Sequence, residues 1–525
     1  MKKINAIKYL AVVFATVSLV SCNWIKEPSP GTVTLDDYYT SGIACVYNVN
    51  AVYVPLSYGY NRSYYYEWYF GDIMSDDALK GGDGITDGLD AYDIDNFNIN
   101  INNNIVLDFY QAQFQGIGRC NMALANIPDV ACDSTMTQKV KDRLLGECYF
   151  LRGYYYFRLV RLFGGVPLVT TVQKDDSQWH PARASKEEIY TQIIKDFKKA
   201  DSLLWNKSEV ANYEKSKGTL EIGRATKGAA LAMLLKVNLY KGDYAEAKKW
   251  GDEFIATQSN EYGLEPNYYD LFTLEHENGI ESIFEIQYAE EATSDYGSGN
   301  GCTRGTFTQV LTRPRNTAIG GWGWNKPTND LYDEFEEDDI RREATILIPD
   351  YNGIDDGDEY LGTIYNNRKS GWYNVADNNA PKLAHQSRGP LNKPEIRYAD
   401  FLLMYAEACA MSGSGNAATY LNMVRDRVGL PEFGEYQIEI NGEMVTPDIM
   451  QAIKHERRVE LAMEGHRWFD LLRWGTAKEV MENYRKNETP EARAEMKPWD
   501  DKFLLMPIPA EELKLNPNLT QNPKY

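Results

Sequence analysis

The sequence predicts a mainly α-helical protein in which paired helices form a scaffold and long irregular segments form a second, loop-rich half. Three observations carry this reading. Apolar residues recur at helical spacing in stretches that come as pairs joined by short turns. Long segments rich in Gly, Asp and Asn interrupt the pairs, and such loops are uncommon unless functional. The stretch Glu456–Gly475, ERRVELAMEGHRWFDLLRWG, sets four arginines, four acidic residues and two tryptophans on a pattern that otherwise reads as a buried helix.

In chain order, Lys2, Lys3 and Lys8 surround and precede a mostly apolar run, Tyr9–Val20, that ends at Ser21-Cys22. The run is too short to span a bilayer comfortably and reads as a cleaved signal peptide over residues 1–21. Leu19-Val20-Ser21-Cys22 is similar to a bacterial lipobox, in which Cys22 becomes the new N-terminus and carries acyl chains, palmitate-like in kind. Several chains on one residue anchor more firmly than one. Asn23 follows, with Glu27 after Lys26, so the expectation is an outer-membrane lipoprotein facing the cell surface. Residues 22–34 then form a tether and 35–525 a single domain. Its scaffold takes about 35–70, 105–260 and 395–480, and its loop-rich binding half about 75–104 and 285–390.

Three helix pairs are expected. Val106–Ile127 pairs with Lys139–Phe163, whose aromatic run Tyr149, Phe150, Tyr154, Tyr155, Tyr156 and Phe157 reads as core. Ala225–Thr257 folds back at Gly242-Asp243 and resembles a tetratricopeptide unit. Tyr398–Val428 turns at Gly413-Ser414-Gly415. In the C-terminal stretch Thr446-Pro447-Asp448 reads as a helix start. Glu456, Glu460 and Glu464 fall four apart as one acidic stripe, with Arg457, Arg458 and Arg467 as its expected partners in a structural ion-pair network. The long irregular segments are Gly81–Asn104, Glu290–Trp324 and Asp350–Ala380; a rigid scaffold commonly presents binding groups on such loops.

Composition narrows the function. The formal charge of the 525 residues is −21, and loss of the signal peptide removes three lysines and no acids. That balance disfavours nucleic acid, anionic membrane surfaces and strongly acidic polysaccharides as partners. Aromatic residues make up 13%, with 37 tyrosines and 11 tryptophans, flat faces suited to sugar rings or interfaces. After Cys22, the cysteines at 45, 120, 132, 148, 302 and 409 match no zinc spacing, and Cys120, Cys148 and Cys409 read as buried small hydrophobes. Catalytic motifs are missing: His455-Glu456 continues as Arg-Arg-Val rather than HExxH, and no GxSxG elbow, P-loop or dinucleotide fingerprint appears. The acidic run Asp350–Glu359 departs from the EF-hand pattern at Ile354 and reads as a solvated loop. No enzyme, cofactor or metal is expected.

Several blocks in order resemble the SusD/RagB family of outer-membrane nutrient-binding lipoproteins. Besides the lipobox and Glu456–Gly475, these are Gly71-Asp72 with Ser75-Asp76-Asp77-Ala78, and Glu147–Val169, which ends in a Gly-Pro turn. Lys393–Ala408, KPEIRYADFLLMYAEA, has Asp400 where the family usually has glutamate, and Phe503–Tyr525 carries MPIP and QNPKY. The resemblance implies a SusD-like α-α superhelix of tetratricopeptide-like pairs. It also implies a partner, a SusC-like TonB-dependent transporter barrel, and a role in capturing oligosaccharides for it; a RagB-like branch binds peptides instead. Ligand-binding aromatics are implied in the first long loop and before Pro327-Thr328-Asn329-Asp330-Leu331, which points to Tyr92, Tyr296, Trp322 and Trp324, with Trp372 in the third loop. If the chain is extended at Gly323, the rings of Trp322 and Trp324 project to one face and stack on successive sugars; otherwise they pack under the loop. Asp83, Asn300, Arg304 and Asn325 are polar candidates for sugar hydroxyls. The alternative from another class is a non-catalytic protein–protein scaffold.

Overall fold

The computed structural model describes residues 38–290, 304–315, 319–348, 359–374, 380–440 and 442–525. Cys22 and the lipobox lie outside them, as do parts of the second and third loops.

The scaffold is built from α1 (Gly42–Tyr53), α2 (Asn104–Asn126), α3 (Gln138–Phe163), α4 (Lys186–Asp201), α5 (Lys227–Lys241), α6 (Tyr244–Gln258), α7 (Tyr398–Ser412) and α8 (Ala417–Arg427). The expected pairs form with ends within a few residues of the expectation. Four of these starts are capped by a side chain that accepts a free backbone N–H: Asn103 for α2, Thr137 for α3, Thr226 for α5 and Asp243 for α6. Packing runs α2–α3–α4–α5–α6–α7, so pairs separated in sequence stack continuously in space. The run Phe150–Phe157 is buried throughout, as expected of core, and Cys120, Cys148 and Cys409 are buried free thiols. No helix among the described residues is long and apolar enough to cross a membrane.

Two short strands explain how the stack closes. β2 (Ser282–Ile286) leaves α6 and pairs antiparallel with β6 (Lys393–Arg397), which leads straight into α7. The larger part of the loop-rich half is therefore an excursion between these strands, pinched at its base. Within it, β4 (Ile346–Leu347) pairs with β5 (Asn366–Asn367), and β3 (Trp324–Pro327) pairs with β1 (Ala78–Gly81), which comes from the earlier segment before α2.

The C-terminal stretch forms α9 (Ile449–Glu460) and α10 (Arg467–Trp474), and two expectations need correction. Asp448, not Thr446, caps α9, in a capping box with Gln451. Nor do Arg457, Arg458 and Arg467 neutralise the acidic stripe. Glu456 pairs with Arg341 (2.5 Å) and Arg425 (2.9 Å), and Glu460 with Arg341 (3.0 Å), Arg397 (2.8 Å) and Arg427 (2.6 Å). Glu464 pairs with Arg397 and Lys369, each at 2.8 Å. Part of the reason is geometric: Arg457 is one residue from Glu456 and Arg458 is two from Glu456 and Glu460, and neighbours one or two apart on a helix do not face each other. The chain also leaves the helix after Glu460, turning through Met463 (φ 63°) and Gly465 (φ 84°). Arg457 instead reaches Asp400 and Asp470, each at 2.9 Å. Arg458 reaches Asp76, Asp77, Asp330 and Glu334, and Arg467 binds Asp76 (2.7 Å). The network spans both halves of the protein.

Burial alone would raise these carboxyls, and the cations outweigh it. Arg397 and Lys369 hold Glu464 at about 2, Arg457 and Arg473 hold Asp470 at about 2, and Arg458 with His455 holds Glu334 at about 2. Their unfolded values lie near 4, so the folded state binds fewer protons in that window and acid favours unfolding. Asp72 and Asp95, pushed up to about 7 by burial, act in the opposite sense between pH 7 and 4. The expected outcome in acid titration followed by circular dichroism is little loss of stability down to about pH 4, then a steep fall toward pH 2. A loss complete above pH 5 would contradict it.

Candidate functional site

The segment Tyr60–Phe70, YNRSYYYEWYF, lays the floor of the site. Tyr60 and Tyr64 face each other across an isolated antiparallel bridge and are half-buried. Beneath them Tyr66 stacks on Trp68 (5.9 Å between centroids), and Trp68 on Tyr69 (4.0 Å). The buried Tyr66 hydroxyl accepts hydrogen bonds from the Phe307 N–H (2.9 Å) and the Thr306 hydroxyl (3.1 Å). Burial, partly offset by these bonds, pushes its phenol up to about 12, so it stays neutral and keeps its place. Phe307, fixed in this way, lies 5.0 Å from Tyr64 and 6.2 Å from Tyr60. Trp322 meets Tyr64 edge-on at 5.8 Å. Tyr60, Tyr64 and Trp322, all half-buried, thus form an aromatic platform around a buried Phe307.

Arg313, at the end of the short helix Thr308–Thr312, ties the surrounding loops together. Its buried guanidinium donates to the carbonyls of Gly371 (2.7 Å), Pro381 (3.0 Å) and Trp372 (3.2 Å), and lies 6.0 Å from the Trp372 ring. Burial lowers it to about 10, which leaves it charged at neutral pH. Its own carbonyl accepts from the Gly323 N–H, and the Val310 carbonyl from the Trp322 N–H, both at 2.8 Å. The tryptophan backbone is therefore held by main-chain bonds rather than by its ring.

Trp322 and Trp324 do not share a face. Gly323 has φ +67°, which interrupts the extended geometry that i and i+2 alignment requires. Trp324 is 4% exposed, packed edge-on against Tyr69 (6.1 Å), with the Lys80 ammonium 4.8 Å from its ring centroid and its indole N–H 3.3 Å from an Asp87 oxygen. Its ring fills the space a side chain at Gly88 would occupy, where a Cβ would lie 2.2 Å away. Trp324 is thus a structural wedge and Trp322 the surface member of the pair.

The other sequence candidates are dispersed. Asp83 is exposed beside the β1–β3 edge and pairs with Arg315 (2.5 Å). Trp372 (φ 55°) is half-buried in the Arg313 clamp. Arg304 is exposed, its carbonyl accepting from the Ala289 N–H (2.8 Å). Tyr92 turns away, its hydroxyl donating to the Glu495 carboxylate. Asn325 is buried and donates to Asp72 (3.2 Å), so its side chain is engaged internally. Tyr296 and Asn300, with Asp350 and most of the acidic run after it, lie outside the described residues.

Tyr60, Tyr64, Phe307 and Arg313 were not singled out from sequence. The available signal was the aromatic run directly after the polar Asn61-Arg62-Ser63 turn. A cavity of about 50 Å3 lined by Tyr66, Thr306, Thr308 and Gln309 adjoins the platform, with room for a few waters only. This cavity is therefore too small to take a sugar ring. Elsewhere, Glu265, Asp270 and His276 bring donor atoms within 4.8 Å, but His276 Nδ1 is already 3.1 Å from the Glu265 carboxylate.

The two tryptophans are separable by stability. Trp324→Ala is expected to cost about 3–5 kcal/mol in urea unfolding, as a buried aromatic truncation does. Trp322→Ala is expected to cost far less, and equal costs would contradict the assignment.

Residues 280–525 match the family model described as SusD family. Residues 56–239 match one described as starch-binding associating with outer membrane. A solved laminarin-binding SusD-like protein is 30% identical, with a TM-score of 0.76 over 93% of this chain and 100% of that one. Surface glycan-binding protein A from Bacteroides fluxus is 25% identical, with the same TM-score of 0.76 and the same coverage, 93% and 100%. SusD-like protein P2 from Formosa agariphila is 25% identical over 97% of this chain and 98% of its own. The helical stack, the loop-rich excursion and these matches agree: the chain belongs to the SusD family.

Proposed function

We propose that this protein captures neutral glucan oligosaccharides of the laminarin type on its aromatic platform, without catalysis, and passes them to a SusC-like TonB-dependent transporter. The carrying observation is the platform of Tyr60, Tyr64 and Trp322, apolar faces with polar edges held on clamped loops. The 30% identical relative named as laminarin-binding supports the ligand class. A bound sugar stacks its apolar face on Tyr64 and Trp322, while the phenol hydroxyls and nearby main-chain groups meet its hydroxyls.

The outer-membrane description of one matching family supports a surface role. In this reading Cys22 carries the lipid anchor, residues 22–34 form the tether, and residues 35–525 act as one domain over the transporter. The platform's chemistry supports a role without catalysis. It offers rings rather than a pair of carboxylates flanking a bond, which glycoside hydrolysis requires.

The test is titration of the mature protein with laminarihexaose, followed by tryptophan fluorescence and calorimetry. Trp322→Ala is expected to lose about 2 kcal/mol of binding, roughly 30-fold, the scale of an aromatic hot spot. No shorter oligosaccharide is expected after prolonged incubation. Unchanged affinity in the variant, or release of cleaved product, would overturn the reading.

A further inference from the structure

A second groove lies apart from the platform, where α11 (Ala477–Asn487) and α12 (Pro490–Glu495) meet the chain that follows them. Its volume is about 510 Å3, within the range of small-molecule sites. Arg485, Lys486, Arg493 and Lys497 line it, with Glu482 as the acidic member of the lining. The half-buried Trp499 adds an aromatic face, braced by Phe97 (6.3 Å), Trp468 (6.4 Å) and Phe503 (6.0 Å).

The charge here runs against the rest of the molecule. The chain has 76 acidic and 55 basic residues, and the buried arginines of the core network each hold one to four carboxylates. In such an excess of acid, a cation normally finds a partner. Yet no ion pair among the described residues engages any of these four. Lys486 bonds the Asn483 side chain (3.3 Å), and Arg493 the Glu488 carbonyl (2.8 Å). The Arg485 Nε is buried with no hydrogen-bond partner. Asp93 feels the Lys497 charge only at a distance, while its own carboxylate accepts from Asn98 (2.8 Å).

We infer that this groove is a second binding site, for a short saccharide bearing an anionic group. Its carboxylate or sulfate sits among Arg485, Arg493 and Lys497, and its ring lies against Trp499. A guanidinium fork suits either planar or tetrahedral oxyanions. The net charge of −21 repels long polyanions, which limits the ligand to a short fragment or to a single acidic residue on an otherwise neutral chain.

The experiment is calorimetric titration of the mature protein with tetragalacturonate and, separately, with a sulfated glucan tetrasaccharide; the two arms distinguish a carboxylate from a sulfate ligand. Binding of at least one is expected, weakening as salt rises. Arg485→Gln with Lys497→Gln is expected to lower that affinity at least tenfold, and Trp499→Ala also to weaken it. Lys497→Gln alone, a change at an exposed position, provides a second variant should the double one unfold, and a threefold or greater loss is expected of it. Trp322→Ala should leave acidic binding intact, so failure of this site and failure of the platform are read separately. No binding of either acidic ligand, binding unchanged by the charge substitutions, or binding lost through Trp322→Ala would each overturn the proposal.

Discussion

The rest of the structure depends on one guanidinium, that of Arg397. It stands at the end of β6, where the chain returns from the loop-rich excursion into α7. It binds Glu281 (2.5 Å), immediately before β2, where the excursion begins. The same group is met by Glu460 and, through two bonds, by Glu464 from the C-terminal stretch. Exit, re-entry and C-terminal lock are thus pinned at one buried point. Removing one partner from such a cluster strands a buried charge, at about 3–5 kcal/mol, whereas an apolar replacement of the whole group can be neutral. The network's contribution is therefore to register: it specifies which part of the excursion sits over which helix.

That register determines where the aromatic platform lies. Tyr66 belongs to the segment that leads from the scaffold, whereas Phe307 and Trp322 belong to the excursion, and the Tyr66 hydroxyl joins the two parts. Arg313 does similar work one layer out, satisfying three loop carbonyls with one side chain. Loops secured by buried donors present rings in fixed positions, and a preorganised face loses less entropy when a ligand binds. The binding half is irregular in secondary structure without being loosely held.

Much of the scaffold was legible in the sequence because its signals are local. Helical periodicity, Gly turns and capping residues fixed α2, α3 and α5 to α8 closely, and the aromatic run of α3 was read correctly as core. The partners of Glu456, Glu460 and Glu464 were not legible, since Arg341, Arg397 and Arg425 come from distant segments that no spacing rule connects. The site was half legible. The family resemblance pointed to Trp322, but its relation to Trp324 depended on the backbone at Gly323, whose positive φ separates the rings. Tyr60 and Tyr64 escaped notice because a tyrosine-rich run reads equally as core, and here it is both: Tyr65, Tyr66, Trp68 and Tyr69 are buried while Tyr60 and Tyr64 are not.

The measurement that bears most directly on this account is hydrogen exchange by mass spectrometry, with and without saturating laminarihexaose. The account predicts added protection in three segments, 60–66, 304–313 and 319–323, which supply the platform and its supports. Residues 456–464 should exchange slowly before ligand is added and remain unchanged after it. Protection confined to other segments, or a network that becomes slow only once sugar is bound, would contradict a preformed platform held by the Arg397 lock.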